Sequence, residues 1–311
     1  MRYLRKYIVK SAFKGYLPDR SDFELVEEAI PELKVGEFLV QTEYVSVDPY
    51  MRSFASDSVP YTQFGFQVGK VVDSRNSNYP QGIYVVSHAG WTDHTVLNGE
   101  ADDILHVVPY RPDVGKLSIS MSIGALGMPG ITAYLGLIKI CKPKNGDVVC
   151  VTSAAGAVGS LVGQIAKIKG CTVIGFAGSD EKINLLINDL GFDYAFNYKA
   201  VSNMKDTLMS AAPNGIDCYF DNVGGDLATS ITKNMKQNGR VAISSSLKIE
   251  SFGFTQWKES EKTSALNELR KWLENGDIKA KETITNGFEE LPNAFIGMLK
   301  GENIGKAIVK I

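Results

Sequence analysis

From Asp147 onward the chain keeps one rhythm, a short apolar run followed by a segment of helical spacing and then another apolar run. The runs are DVVCVTSA, TVIGFA, YAFNY, DCYFDNV and RVAIS, and the segments between them include VGSLVGQIAKIKG, EKINLLINDLG and VSNMKDTLMSAA. Strand, helix and strand at this spacing build a parallel sheet covered by helices on both faces. An α/β class with a doubly wound parallel sheet is therefore the expectation for this part of the chain.

The first ~120 residues read differently. RYLRKYIV, FELVEEAI, EFLVQTEYVSV, QVGKVVDS, IYVVSHAG and HTVLN are short β-branched runs separated by Gly, Pro, Asn and Asp, the pattern of a small barrel or sandwich. After Ser246 the sequence offers one long amphipathic helix around ESEKTSALNELRKWLENG, then KETIT, a short helix ELPNAFIGMLKG and the strand KAIVKI. A length of 311 residues suits about two domains of roughly 150 residues each.

Composition narrows the partners. With Lys+Arg 33 against Asp+Glu 35 the net charge is −2, so no overall positive field exists to hold nucleic acid or an anionic membrane. No run approaches the ~18 to 20 apolar residues of a spanning helix. The basic start MRYLRKYIVKSAFKGY interrupts its apolar residues with charges and so lacks the core of a signal peptide, which points to a cytosolic chain. Cys141, Cys150, Cys171 and Cys218 stand far apart with no CxxC pair, as reduced, buried thiols do. His88, His94 and His106 have no metal-ligand spacing, so no metal site is expected.

The strongest chemical signal is VVCVTSAAGAVGSLVGQ, where Gly156, Ala157, Val158 and Gly159 sit between a strand-like run and a helix-like one. Small residues are needed in such a turn because the backbone must approach a pyrophosphate and the following helix must touch the strand. The first turn of that helix offers unpaired N–H groups and a partial positive charge to the phosphates. Ala154 stands where the dinucleotide fingerprint begins with Gly, which weakens the bare motif; the strand, turn and helix context restores it.

A cofactor with a free 2′-hydroxyl is held by an acid at the end of the second strand, about twenty residues past the glycines. Here Ala177, Gly178 and Ser179 occupy that place, while Asp180 and Glu181 follow in the first turn of a helix that Ser179 would cap. Nothing acidic at the strand tip repels a 2′-phosphate, and Lys182 is placed to neutralise one. NADP(H) is favoured over NAD(H); the bland reading of Lys182 is a solvated surface lysine.

VDPYMR (47–52), GMPGITAY (127–134), AAGAVGSLVGQIAKIKG, FAGSDEK, FNYK (196–199), CYFDNVGG (218–225) and GENIGKAIVKI resemble, block by block, the zinc-independent medium-chain dehydrogenase/reductases of the prostaglandin reductase group. The blocks run in order from about residue 40 to the end. The resemblance implies a GroES-like catalytic domain over 1–123, to which 286–311 returns, with a Rossmann domain at 124–285 inserted between. It also implies NADPH, a cytoplasmic homodimer, and reduction of the carbon–carbon double bond of α,β-unsaturated ketones and aldehydes such as oxo-prostaglandins and 2-alkenals. Carried residue by residue, it puts the pyrophosphate on Gly156 to Gly159, the 2′-phosphate on Lys182 and Tyr198, and the ribose near Asn222. Asn303 joins them from the returning segment. Asn222 and Asn303 also suit plain turn positions. Past RVAIS the chain departs from the family, lacking its Gly/Ala-rich turn, Tyr-Asn pair and proline-rich loop, so Ser244, Phe252, Gly253 and Phe254 carry over less directly.

An enone that receives hydride gathers negative charge on its carbonyl oxygen and needs a proton. Hydroxyl donors are natural without metal. Tyr50 in VDPYMR and Tyr61 in PYTQFGFQ flank the segment expected to line the substrate cleft and are the catalytic candidates; either is equally a packing tyrosine. The aromatic set Tyr50, Phe54, Tyr61, Phe64, Phe66 and Phe254 would suit a lipid-like substrate. Two other functions remain open, a quinone oxidoreductase of the same fold and a non-catalytic NADPH-binding protein.

Overall fold

A computed structural model describes residues 2–13, 17–53, 55, 58–244 and 254–311. Its strands in chain order are β1 (Tyr3–Val9), β2 (Phe23–Ala29), β3 (Phe38–Ser46), β4 (Tyr61–Thr62), β5 (Gln67–Ser74), β6 (Tyr84–Ser87), β7 (His94–Leu97), β8 (Val148–Val151), β9 (Thr172–Ala177), β10 (Tyr194–Asn197), β11 (Ile216–Asp221), β12 (Met235–Ile243), β13 (Glu282–Asn286) and β14 (Lys306–Lys310). The chain divides into two compact units. Unit 1 holds Met1–Ile123, Thr283–Asn303 and Ala307–Ile311; unit 2 holds Gly124–Glu282 and Ile304–Lys306.

Unit 1 is built from two sheets, the first antiparallel and the second mixed, since Lys306 donates its N–H to the Lys281 carbonyl and Gly287 to the Lys310 carbonyl along β13 and β14. In the first, β1 runs between β2 and β4, registered from Tyr3 opposite Ala29 to Val9 opposite Phe23. The second has the order β13-β14-β3-β5-β6, with β7 on the other half of β3. Along β1 the side chains alternate, so Tyr7 and Val9 face a core with Phe23, Trp91, Phe288 and Phe295. Tyr7 stacks on Phe288 at 5.5 Å, which ties the first strand to the end of the chain. The last strand, β14, pairs with β3 through Ile308 opposite Ser46.

Unit 2 is an all-parallel sheet of order β10-β9-β8-β11-β12. Its central strands are mostly apolar, with Val149, Cys150, Val151, Val173, Ile174 and Phe176 fully buried, because helices cover both faces. Helix α3 (Gly159–Ile168) follows α1 (Tyr50–Ser53) and α2 (Met128–Leu135) and is buried from Gly159 to Ala166. It lies so close to the sheet that a Cβ on Gly163 would stand 1.9 Å from the Phe192 ring, which also fills the space over Gly175 of β9. The remaining helices are α4 (Asp180–Asn184), α5 (Met204–Ala211), α6 (Gly225–Thr232), α7 (Glu259–Asn275) and α8 (Leu291–Lys300). GMPGITAY, one of the blocks that carry the resemblance, forms α2: Pro129 takes a first-turn position where no N–H is required, and Ile131 and Leu135 pack with Ala265 of α7.

After β10 the chain reverses direction across the sheet and places β11 on the other side of β8. The carboxyl ends of β8 and β11 therefore flank the point where strand order changes, where doubly wound sheets form their ligand crevice.

Candidate functional site

At the end of β8 the backbone turns sharply. Ser153 takes a left-handed φ of 49°, Ala154 and Ala155 are buried, and α3 begins at Gly159. Gly159 admits no side chain, since a Cβ there would lie 2.4 Å from the Ser153 carbonyl oxygen. Ala154, the departure from the fingerprint, donates its N–H to the Phe176 carbonyl at 2.9 Å and keeps an ordinary backbone, which explains why Gly is dispensable there. No side chain caps α3. The first N–H groups of a helix have no acceptor within it, so Ala157, Val158 and Gly159 present donors that an anion can fill. The turn thus fits a pyrophosphate.

The switch point is cross-linked. Asp221, at the end of β11, accepts the Thr152 hydroxyl at 3.1 Å and the backbone N–H groups of Val223 and Gly224 at 3.0 and 2.9 Å. Asn222 donates its backbone N–H to Thr152 Oγ1 and its amide Nδ2 to the Thr152 carbonyl, which fixes the side chain at the end of β8. The returning segment pairs here as well: Gly305 donates to the Ala155 carbonyl at 2.7 Å and bridges Gly156. At Gly305, φ is +68° and a Cβ would meet the Lys281 carbonyl oxygen at 2.0 Å, so a glycine is required.

At the end of β9, Ser179 caps α4 and its hydroxyl accepts from the Lys182 N–H. Asp180 accepts from the Asn197 amide at 2.9 Å. The space over Gly178 is bordered by the Tyr198 hydroxyl and the Lys199 side chain, each 3.3 Å from where a Cβ would stand. Burial, and then the neighbouring Lys199 ammonium, lower the pKa of Lys182, with Glu181 opposing. Two ammonium groups that act on each other, with a phenol hydroxyl beside one of them, make this end of β9 locally basic. The donor set fits a phosphate monoester.

In unit 1, Tyr50 opens α1. Its hydroxyl lies 2.9 Å from His88 Nε2, and its ring stacks on Phe64 and His88, each at 6.0 Å. Burial, together with the Asp48 and Asp102 carboxylates, raises its pKa well above the ordinary phenol value. Tyr61 lies in β4 opposite Val9 and stacks on Phe64. Phe66 sets its edge against His88 at 4.9 Å.

The other candidates are dispersed. Ser244 follows β12 and donates its N–H to the Asp221 carbonyl, which keeps it at the switch point. Phe254 packs with Ile131, Leu135 and Ala265, and the Lys262 ammonium stands 4.2 Å over its ring. Asn303 is half-buried in the return from α8 toward Gly305. Phe54, Phe252 and Gly253 lie outside the described residues. Sequence reasoning passed over Asp221, Gly305 and Lys199, although each sits in a quoted block (DNVGG, GENIG and FNYK), and over His88 and Asp102, whose pairing has no local signal. All four cysteines are free and buried. Among the described residues, no three His, Cys, Asp or Glu side chains gather as a metal cluster, and no helix is long and apolar enough to cross a membrane.

Two family models match this chain, "N-terminal domain of oxidoreductase" over residues 5–105 and "Zinc-binding dehydrogenase" over residues 157–264. Prostaglandin reductase 1 of Bos taurus is 44% identical over 334 residues, covering 100% of both chains. The NADP(+)-dependent 2-alkenal reductase of Nicotiana tabacum is 35% identical and covers 99% of this chain and 97% of its own. Among solved structures, CurA from Vibrio vulnificus in complex with NADPH superposes with a TM-score of 0.86 at 32% identity, covering 98% of each chain. The chain belongs to the zinc-independent medium-chain dehydrogenase/reductases, in their prostaglandin reductase group.

Proposed function

We propose that this protein uses NADPH to reduce the carbon–carbon double bond of α,β-unsaturated ketones and aldehydes, with oxo-prostaglandins and 2-alkenals as the substrate class. The observation that carries the reading is the end of β9, where Tyr198 and Lys199 border the space over Gly178 and the Lys199 ammonium acts on Lys182, together with an α3 that no side chain caps. Full-length relatives named for prostaglandin and 2-alkenal reduction support the substrate class.

Gly156, Ala157, Val158 and Gly159 would hold the pyrophosphate through backbone N–H groups. Lys182 and Tyr198, with Lys199 added, would hold the 2′-phosphate, and Asn222 would face the ribose. Ser244, Phe254 and Asn303 complete the proposed cofactor set, which makes unit 2 the dinucleotide domain and unit 1 the catalytic one. When bound, the nicotinamide supplies a hydride to the carbon β to the substrate carbonyl. The chain's own residues meet the consequence: a hydroxyl must stabilise the enolate oxygen and a proton must reach the α-carbon. Tyr50 and Tyr61 are the donors proposed, and the rings of Phe64 and Phe66 suit a long apolar substrate.

Buried free thiols suit a reducing, cytoplasmic compartment. A homodimer would use the outer edge of β12, which pairs with no strand among the described residues. The test of function is NADPH oxidation followed with a 2-alkenal, a 15-oxo-prostaglandin and a naphthoquinone, each repeated with NADH. The expected result is turnover of the two enones with NADPH preferred. Quinone turnover alone, or cofactor binding without any turnover, overturns the reading.

A further inference from the structure

Tyr50 joins a hydrogen-bonded chain inside unit 1, and the Phe66 backbone also hydrogen-bonds its hydroxyl. His88 Nε2 is 2.9 Å from the Tyr50 hydroxyl, and His88 Nδ1 is 3.1 Å from Asp102 Oδ1. Asp102 is in turn gripped by its own loop: Oδ1 accepts the N–H groups of Ile104 and Leu105 at 2.8 and 2.7 Å, and Oδ2 accepts that of Val107 at 2.7 Å. Burial would raise its pKa, yet these donors hold it below the usual carboxylate range. A cavity of about 270 Å³, lined by Ser87, His88, Asn98, Glu100 and Asp102 among others, brings solvent to the same carboxylate.

An ionised carboxylate can only accept, so His88 Nδ1 must carry a hydrogen. In the neutral ring Nε2 then has only a lone pair, and the Tyr50 hydroxyl must donate to it. A phenol bound this way has its proton turned from any substrate. Protonation of the ring reverses the bond, because Nε2–H now donates to the Tyr50 oxygen and the phenolic hydrogen is released. The His88 side chain is fully buried, and burial lowers its pKa while Asp102 and Asp48 oppose. Among the described residues, those two carboxylates and the Tyr50 hydroxyl are the ionisable groups that act on it, Glu37 and Glu100 line the same cavity, and Phe64 and Phe66 set their rings against it.

We propose that His88, oriented by Asp102, is the positioning residue that sets the direction of the Tyr50 hydrogen bond, so that a protonated imidazole makes Tyr50 a proton donor. The inference rests on the reading of Tyr50 as a catalytic hydroxyl. The step balances as follows. The enolate, whose electron pair came from the reduced dinucleotide, forms a C–H bond at its α-carbon as the Tyr50 O–H bond breaks. Nε2–H passes its proton to the Tyr50 oxygen, the imidazolium becomes neutral, and Tyr50 again donates to Nε2. One proton from solvent per turnover restores the imidazolium.

The chain has three histidines, so nitrogen NMR of the imidazoles in the cofactor-free protein can resolve His88. The expected spectrum near neutral pH has Nδ1 protonated and Nε2 bare, with both protonated only below the ordinary value of about 6.5. With NADPH and a 2-alkenal, kcat/KM should fall tenfold per pH unit above that same pKa. Asp102→Asn should move the spectral and kinetic transitions to lower pH together. His88→Gln should abolish the kinetic transition and lower kcat about 10²-fold, leaving the KM for NADPH unchanged. Tyr50→Phe, which keeps the stacked ring, should shift the Nε2 resonance and serves should His88→Gln fail to fold. A bare Nδ1 at neutral pH, or an unchanged pH profile in Asp102→Asn, overturns the inference. Absence of enone turnover by the unmodified protein would instead remove the proposed reaction, while the spectra would still decide the direction of the bond.

Discussion

Lys182 shows how much one side chain contributes when its neighbours are arranged for it. Its ammonium is half-buried and repelled by Lys199, so a dianionic phosphate placed between them relieves both desolvation and repulsion. Lys182→Ala is expected to raise the KM for NADPH by about tenfold or more, the worth of roughly one charge-assisted hydrogen bond, and to leave NADH nearly unaffected. Steady-state kinetics with both cofactors checks this; equal effects would remove Lys182 from phosphate recognition. Asp221 illustrates the reverse case, a side chain wholly committed to local architecture. Its carboxylate holds Thr152, Val223 and Gly224 and so fixes the loop that carries Asn222.

Among the elements, α3 is the most constrained because it must touch the sheet along its length. Gly163 meets the Phe192 ring, Gly175 opposes the same ring from β9, and Gly159 meets the turn backbone. Gly163→Ala would force the ring aside, and we expect a loss of about 1–3 kcal/mol, as overpacked cores show. Pairing it with Phe192→Leu should recover part of that loss; urea unfolding of both variants measures it, and an unchanged single variant would mean the interface gives freely. This closeness was legible in the sequence as small residues at 156, 159 and 163, whereas the ring that fills the gap was not. Helix α7 and the strands β8 to β11 were legible from period alone. Helix α2 was hidden because Gly127, Pro129 and Gly130 punctuate its first turn as they would a loop.

Across the whole chain, unit 1 is closed by charges that sequence order keeps far apart. Arg5 of β1 reaches Asp93 at 2.8 Å and Glu289 at 2.6 Å, and Asp93 also accepts from His94. Burial would raise the Asp93 pKa, but the hydrogen bonds from His94 and Arg5 bring it down to about 2. Because the folded value lies below the unfolded one, the stabilisation is complete above pH ~4 and disappears as pH falls through 2, and it amounts to about 2 kcal/mol. Asp93→Asn should therefore be less stable than the unmodified protein at pH 7 and nearly equal to it near pH 2, as denaturant midpoints at the two pH values would show. A gap that persists at low pH would place the loss in packing instead. The sequence by itself determined the βαβ alternation, the glycine turn and the phosphate-bearing cofactor, because each depends on residues within one strand and the helix beside it. Only the tertiary structure decided the pairings of Tyr50 with His88, Asp102 with its loop, Lys182 with Lys199, and Gly305 with the glycine turn. Those contacts join residues that chain order leaves unrelated, and their geometry exists only once the backbone has closed on itself.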